Sequence, residues 1–325
     1  MNKIVISHPL YRDGMALLEG KAEIVITNDG DSDRILDSLI DADAYILRIG
    51  KIDRKAIERC EKLKVITRPG VGYDSVDVQA ATERGIPVVL CPAANARAVA
   101  EHTVALLLAC AKNIVESVNE TKAGNFGIRN RYAAVDIVDK MLVVLGFGNI
   151  GRQVAKLCAA LDMKVGVFDP FVKRETAEEM GYVYFENMLD ALAAADFVSL
   201  HMPSMPSTRG MIAAEQFKAM KPTAFFLNAA RGDVVNEPAL IAALKNGEIA
   251  GAGLDVLVEE PFPADHPFMT MPNVVLTPHM AAQSQETVSK LVTMAAERLR
   301  FSGERNGLMW QTLRCMTILA GSSRA

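Results

Sequence analysis

The chain has 325 residues, 50% of them apolar and 23% charged, with a formal net charge of -4. That length favours two globular domains, and both signs of charge are spread along it, with no basic block for nucleic acid and no acidic solvating arm. The five cysteines, Cys60, Cys91, Cys110, Cys158 and Cys315, lie far apart with no CxxC pair, which predicts small apolar residues in a reducing compartment and neither a disulfide frame nor a zinc site.

The opening stretch, MNKIVISHPL, reads as a first strand and not as a signal peptide. Strands are expected at residues 3–7, 23–27, 44–48, 64–68 and 87–90, with helical patterns such as DSDRILDSLI and RKAIERCEKL between them. Such β–α alternation predicts a parallel sheet covered on both faces. A long helical pattern then runs from about Arg97 to Lys122, followed by the polar, irregular GNFGIRNRYAAVDIVDK. Its apolar run, TVALLLACA, is about half of the roughly 20 residues that a membrane span needs. A soluble, cytoplasmic protein is the expectation, with neither nucleic acid nor membrane as partner.

A second alternation begins at 141 with MLVVLG and continues at 164–168, 197–200, 223–228, 251–255 and 273–277. The last helical pattern, about 284–300, can cross back to the first unit. The expected fold class is therefore α/β, with two doubly wound parallel-sheet domains in series.

The segment VVLGFGNIGRQVA places Gly146, Gly148 and Gly151 in GxGxxG spacing between a strand and a helix. The first glycine permits a tight turn, the second lets backbone approach a pyrophosphate, and the third allows close helix–strand packing. The helix N-terminus offers N–H groups and a partial positive charge to phosphate. Asp169 ends the next strand, in KVGVFDP. A carboxylate there can accept both adenosine ribose hydroxyls and repels a 2′-phosphate, so NAD is the expected cofactor.

In a doubly wound sheet, ligands bind beyond the carboxyl ends of the strands. Arg231 follows the strand TAFFLN, Glu259 and Glu260 follow GAGLD, and His279 follows NVVL. An arginine can hold a substrate carboxylate and polarise a carbonyl. A histidine can take the proton of a hydroxyl as hydride leaves the adjacent carbon, and a neighbouring carboxylate orients it and favours its protonated form. Oxidation by such a site loses rate as pH falls, because the base becomes protonated.

With these pieces in order, the chain resembles the D-2-hydroxyacid dehydrogenases, a family that includes D-3-phosphoglycerate dehydrogenases, glycerate and hydroxypyruvate reductases, and D-lactate dehydrogenases. The resemblance rests on RPGVGYDSVDV, NARAVAEHTVALLLA, LGFGNIG, VFDPF, HMPSMPST, NAARGDVVNE, GLDVLVEEP and TPHMAAQ, over about residues 40 to 300. It implies Arg231, Glu260 and His279 as the catalytic trio, with Glu259 as the alternative acid. It implies NAD contacts at Gly146, Gly148, Asn149, Ile150, Gly151, Asp169, His201, Pro203, Thr208 and Ala229, with Asp255 on the nicotinamide carboxamide. It implies substrate contacts at Arg48, Val71, Gly72 and Arg231, and no metal.

The resemblance also implies a discontinuous, flavodoxin-like substrate domain at 1–98 and 286–325, a Rossmann NAD domain at 99–285, and a cleft between them that closes on ligand. A homodimer is implied, through the long helix and the 123–139 stretch. The implied activity is NAD-dependent hydride transfer to or from a small 2-hydroxy or 2-keto acid. Arg48, in YILRIG, matches the place of a phosphoryl-binding arginine in phosphoglycerate dehydrogenases, which points to D-3-phosphoglycerate. Arg129 and Arg131 match a segment that reaches toward the partner's active site in those enzymes. The alternatives are a hydroxypyruvate/glyoxylate reductase, a D-lactate dehydrogenase, or a non-catalytic NAD-sensing co-repressor of the same fold.

Of the other histidines, His8 reads as a loop residue, His102 as packed and hydrogen-bonded, and His266 as solvated in a Pro-rich loop. The sixteen methionines are scattered and read as core filling. Ala98 and Met205 depart from the family's usual hydroxyl residues, and the stretch 306–325, with the sole tryptophan Trp310, looks foreign to it.

Overall fold

A computed structural model describes residues 2–299 and 317–318 of the chain. The tail 306–316 and 319–325, with Trp310 and Cys315, lies outside the described residues. The fold divides into two compact units, one built from the chain up to Asn95 and from Gln283 on, the other from Ala96–Ala282. The first division falls before the expected 98/99 because the long helix starts at Ala96 and belongs wholly to the second unit, and the second falls before the expected 285/286.

The first unit holds strands β1 (Lys3–Ile6), β2 (Glu23–Ile26), β3 (Ala44–Ile46), β4 (Val65–Thr67) and β5 (Val88–Val89). They lie in the order β5-β4-β3-β1-β2, all parallel, and Thr317–Ile318 pairs antiparallel with β5. This is the flavodoxin-like order. Successive side chains of a strand face opposite sides. Ile4 and Ile6 accordingly enter one core cluster with Val292 of the helix Gln285–Glu297, whereas Val5 enters the other with Leu39 and Ile57.

The second unit holds β6 (Met141–Leu145), β7 (Lys164–Phe168), β8 (Val183–Tyr184), β9 (Phe197–Leu200), β10 (Phe225–Asn228), β11 (Gly251–Leu254) and β12 (Val274–Leu276). Their order is β12-β11-β10-β9-β6-β7-β8, entirely parallel, so the winding reverses between β6 and β9. That reversal is the switch point where such sheets bind dinucleotides. Leu142 and Val144 face the cluster under the helices Ala96–Ala111 and Asn149–Ala159, while Val143 and Leu145 face the opposite core. The edge strand β8 escapes a pattern reading because two residues carry no periodicity.

The single helix expected over 97–122 is instead two, Ala96–Ala111 and Ile114–Lys122, meeting at an angle of 62°. Asn113 makes the break with φ +51, a left-handed conformation that asparagine tolerates better than most residues. Its side-chain N–H donates to Glu116 at 2.8 Å and stabilises the start of the second helix. Among the described residues, no single helix is long and apolar enough to cross a membrane.

One backbone crossing braces the first unit. A Cβ on Gly30 would lie 1.8 Å from the carbonyl oxygen of Ile49, and one on Gly50 would lie 2.2 Å from that of Gly30. The two segments touch backbone to backbone, and the Lys51 N–H donates to the Gly30 carbonyl at 2.9 Å. Gly30→Ala should therefore cost about 1–3 kcal/mol of stability, the usual range for forced overpacking, read as a lower midpoint in urea unfolding.

Candidate active site

The glycine loop between β6 and the helix Asn149–Ala159 has the shape a pyrophosphate needs. Gly146 adopts φ +95, and a Cβ there would strike the His201 carbonyl at 2.9 Å. A Cβ on Gly151 would sit 2.1 Å from the Gly146 oxygen, so the helix approaches the strand only because no side chain intervenes. Gly148 has nothing within 4 Å of its Cβ position and begins the helix, with no side-chain cap on the first turn. Asn149 and Ile150 supply that turn. This open N-terminus is a ready anion site, and the loop fits a dinucleotide.

Asp169 follows β7, and its carboxylate accepts the N–H groups of Phe147 at 2.7 Å and Phe171 at 2.8 Å. The acid thus lies against the glycine loop, where the ribose next to a bound pyrophosphate would fall. Beyond β9, the Thr208 hydroxyl donates to the Pro203 carbonyl at 2.6 Å and accepts the Met205 N–H at 2.9 Å, which closes the 203–208 loop on itself. Met205 takes part through its backbone, so its side chain is not needed for that closure.

The charged residues stand on the adjacent strands β10, β11 and β12. Asn228 ends β10 and is 1% exposed. Its side chain donates to the Arg231 carbonyl and accepts the Ala230 N–H, both at 2.9 Å, and so shapes the corner through Ala229 that presents Arg231. The Arg231 guanidinium donates to the Ala230 carbonyl at 2.7 Å. Next in the chain, Gly232 lies so close to the following arm that a Cβ would be 2.0 Å from the Leu257 carbonyl carbon. The arms carrying Arg231 and Glu260 are in backbone contact there.

His279 Nδ1 lies 2.7 Å from Glu260 Oε2, with the imidazole about half exposed. Glu260 is thus the acid that meets the ring. His279 itself has φ +49, unusual for a residue with a side chain. Its N–H is shared between the carbonyls of Asp255 at 2.8 Å and Thr277 at 3.0 Å. The Asp255 carboxylate, fully buried, accepts the Thr277 hydroxyl at 2.6 Å and the N–H groups of Met280 and Ala281, each at 2.9 Å. His102 Nε2 lies 3.0 Å from the Thr277 hydroxyl oxygen and 3.3 Å from Asp255. Burial works against the charge on Asp255, but the hydrogen bonds from His102, Thr277, Met280 and Ala281 outweigh it and hold its pKa below the usual carboxylate range. The Asp255 carboxylate thereby braces the turn that carries His279.

His102 is packed and hydrogen-bonded, as its place in an apolar helix suggests. His266 is not solvated: its side chain is 10% exposed and meets Glu237 at 3.0 Å. A Pro-rich neighbourhood misled the sequence reading, because the ring folds back onto Phe268 with centroids 4.8 Å apart. Asn228, Gly232, Glu237 and Thr277 were not foreseen, and their signal was only their place next to a strand end. Arg48, Val71 and Gly72 lie in the first unit. There the Arg48 guanidinium donates to the Pro9 carbonyl at 2.8 Å and the Gly72 carbonyl accepts Arg68 at 2.8 Å. Among the described residues, no cluster of three or more His, Cys, Asp or Glu could hold a metal.

Residues 104–281 match the family described as D-isomer specific 2-hydroxyacid dehydrogenase, NAD binding domain. The chain belongs to this family. It is 41% identical to the D-3-phosphoglycerate dehydrogenase of Methanocaldococcus jannaschii over 92% of this chain and 57% of that protein. The Archaeoglobus fulgidus enzyme of the same name is 36% identical over 91% of this chain and 56% of that protein. The chain therefore spans about half the length of the curated relatives it matches. Among solved structures, a protein of Thermus thermophilus superposes with a TM-score of 0.84 at 33% identity, over 91% of this chain and 95% of that one. The NADPH-dependent glyoxylate/hydroxypyruvate reductase of Sinorhizobium meliloti superposes with a TM-score of 0.80 at 26% identity, over 92% and 94%. NAD binding accordingly belongs to the second unit, where the glycine loop and Asp169 lie.

The NAD-binding unit also holds a part-buried histidine whose titration is open to measurement. His201 Nδ1 is enclosed with no partner, its Nε2 lies 2.8 Å from the Ser199 hydroxyl, and burial pushes its pKa from 6.5 down to about 3. The folded protein keeps this ring neutral, while the unfolded chain takes up a proton below about 6.5. Folding stability should thus fall as pH drops from 6.5 toward 3. Urea unfolding of His201→Gln at pH about 7 and about 5 should show a smaller loss than the original protein.

Proposed function

We propose that the protein is an NAD-dependent D-2-hydroxyacid dehydrogenase with D-3-phosphoglycerate as its hydroxy acid. The hydrogen bond between His279 and Glu260, on the strand edge that also carries Arg231, is the observation that supports this reading most. NAD, when bound, takes up or returns the hydride. Gly146, Gly148 and Gly151, with the first turn at Asn149 and Ile150, would hold its pyrophosphate, and Asp169 its adenosine ribose. His201, Pro203, Thr208 and Ala229 would border it.

The chain's own residues do the proton and charge work. With Nδ1–H donated to Glu260, His279 keeps Nε2 as the free base for the substrate hydroxyl. The glutamate favours the imidazolium that forms as the hydroxyl proton arrives. Arg231 holds the substrate carboxylate in a charge-assisted fork and stabilises the oxygen of the keto acid in the reverse direction. Within the first unit, the family resemblance gives the backbone at Val71 and Gly72 to a substrate carboxylate and Arg48 to the phosphoryl group.

The phosphorylated substrate is supported by the 35–41% identity to D-3-phosphoglycerate dehydrogenases and by Arg48. The likeness to the Sinorhizobium enzyme supports hydroxypyruvate or glyoxylate as the second reading. The reading includes a homodimer. It draws on Ile114, Val115, Val118, Phe126, Tyr132 and Val138, large apolar side chains that are each exposed within 114–138. Arg129 stacks on Phe126 there, and Arg131 pairs with Glu116. It also includes a cytoplasmic setting, in keeping with four free cysteines among the described residues.

NADH consumption with 3-phosphohydroxypyruvate tests the activity. His279→Ala should lower turnover by roughly 10²–10⁴, and unchanged turnover would remove His279 from the chemistry. Arg48→Ala should raise KM for the phosphorylated acid while leaving that for hydroxypyruvate nearly unchanged. Equal effects on both would assign Arg48 a structural role instead.

A further inference from the structure

The arm that carries Glu260 leaves β11 at Leu254 and runs through exposed positions 258–261 before Phe262 packs against the core and Phe268, 2% exposed, enters it. The exposed positions 258–261 have little packing of their own, so the flanks of the arm must fix the carboxylate against its partner. Yet Glu260 must stay within hydrogen-bond reach of His279, at 2.7 Å.

A single side chain grips the arm on both sides of Glu260. Glu237 opens the helix Glu237–Asn246, whose first turn is capped by Asn236 accepting the Ala239 N–H at 3.0 Å. One Glu237 oxygen accepts the Val258 N–H at 3.2 Å, and the other lies 3.0 Å from His266 Nε2. The Phe268 N–H donates to His266 Nδ1 at 3.2 Å, so Nδ1 carries no hydrogen. The proton therefore sits on Nε2, and the ring donates it to Glu237. Both residues are shielded, with side chains 18% and 10% exposed. The carboxylate thus brackets residues 258–266, with Glu260 inside the bracket, and ties them to a rigid, capped helix.

We propose that Glu237 and His266 are positioning residues for Glu260, acting on His279 through it and not on substrate or cofactor. This rests on the reading of Glu260 and His279 as the acid–base pair. Loss of the bracket lets the arm drift, and a displacement of about 1 Å in such a pair costs on the order of 10²-fold in rate.

The test uses the full chain and needs no substrate for its first part. The ¹⁵N signals of the His279 imidazole report whether Glu260 accepts from Nδ1. In Glu237→Ala they should move to the values seen in Glu260→Ala, while Glu237→Gln, which keeps an acceptor for the Val258 N–H, should move them less. His266→Gln, which leaves Glu237 in place, gives a second readout should Glu237→Ala fail to fold. Signals unmoved in a folded Glu237→Ala or His266→Gln overturn the proposal. In kinetics, Glu237→Ala should lower kcat at least about tenfold with NADH affinity unchanged, and should add no further loss in a Glu260→Ala background. Losses that multiply would mean a general structural role and would also overturn it. Full turnover in Glu260→Ala would sink the acid–base reading instead, and the imidazole signals would still decide whether the bracket holds the arm.

Discussion

A fully buried carboxylate organises the edge on which the chemistry would take place. Asp255 ends β11 with no exposure to water, a position that is costly for a charge unless donors surround it. The donors come from the next strand's turn, through Thr277, Met280 and Ala281, and from His102 on the long helix. The Asp255 carbonyl also accepts the N–H of His279. The turn after β12 is thereby forced into a tight form, and His279 takes up its left-handed conformation within it. The conformation of His279 is, in this sense, a by-product of satisfying one buried charge.

The parallel sheets and the glycine loop were legible in the residues because their signals are periodic or conformational. Alternation in KIVI and MLVVL marks a strand with two buried faces, and the structure sends Val5 and Val143 to one side and their neighbours to the other. Gly146 and Gly151 were legible because the contacts they allow exclude any side chain. Arg231, Glu260 and His279 could be placed because each follows a strand end, and strand ends of one parallel sheet gather at one edge.

What escaped the sequence was contact across long separations. Nothing near Asn113 in the letters distinguishes a kink from a continuous helix, since asparagine is tolerated in both. His266 looked solvated because its partner, Glu237, lies in another helix and its stacking partner is reached only through a turn. Asp255 matched a ligand contact by resemblance, but its hydrogen-bond partners at 102 and 277 are set by folding and have no local signature. Polar residues beside an active site are the hardest to assign, because a support and a contact have the same composition.

The absence of a side chain at Gly232 bears on how the site behaves as a mechanical object. The arms after β10 and β11 meet there main chain to main chain, with no flexible group between them to act as a cushion. Two segments in such contact share their degrees of freedom, and a tilt of one displaces the other. The main chains that lead to Arg231 and to Glu260 are thus ordered together as the unit folds, with one loss of conformational entropy and not two. The cost of assembling guanidinium and carboxylate is incurred once, when the domain folds, and is not repeated at each encounter with a substrate.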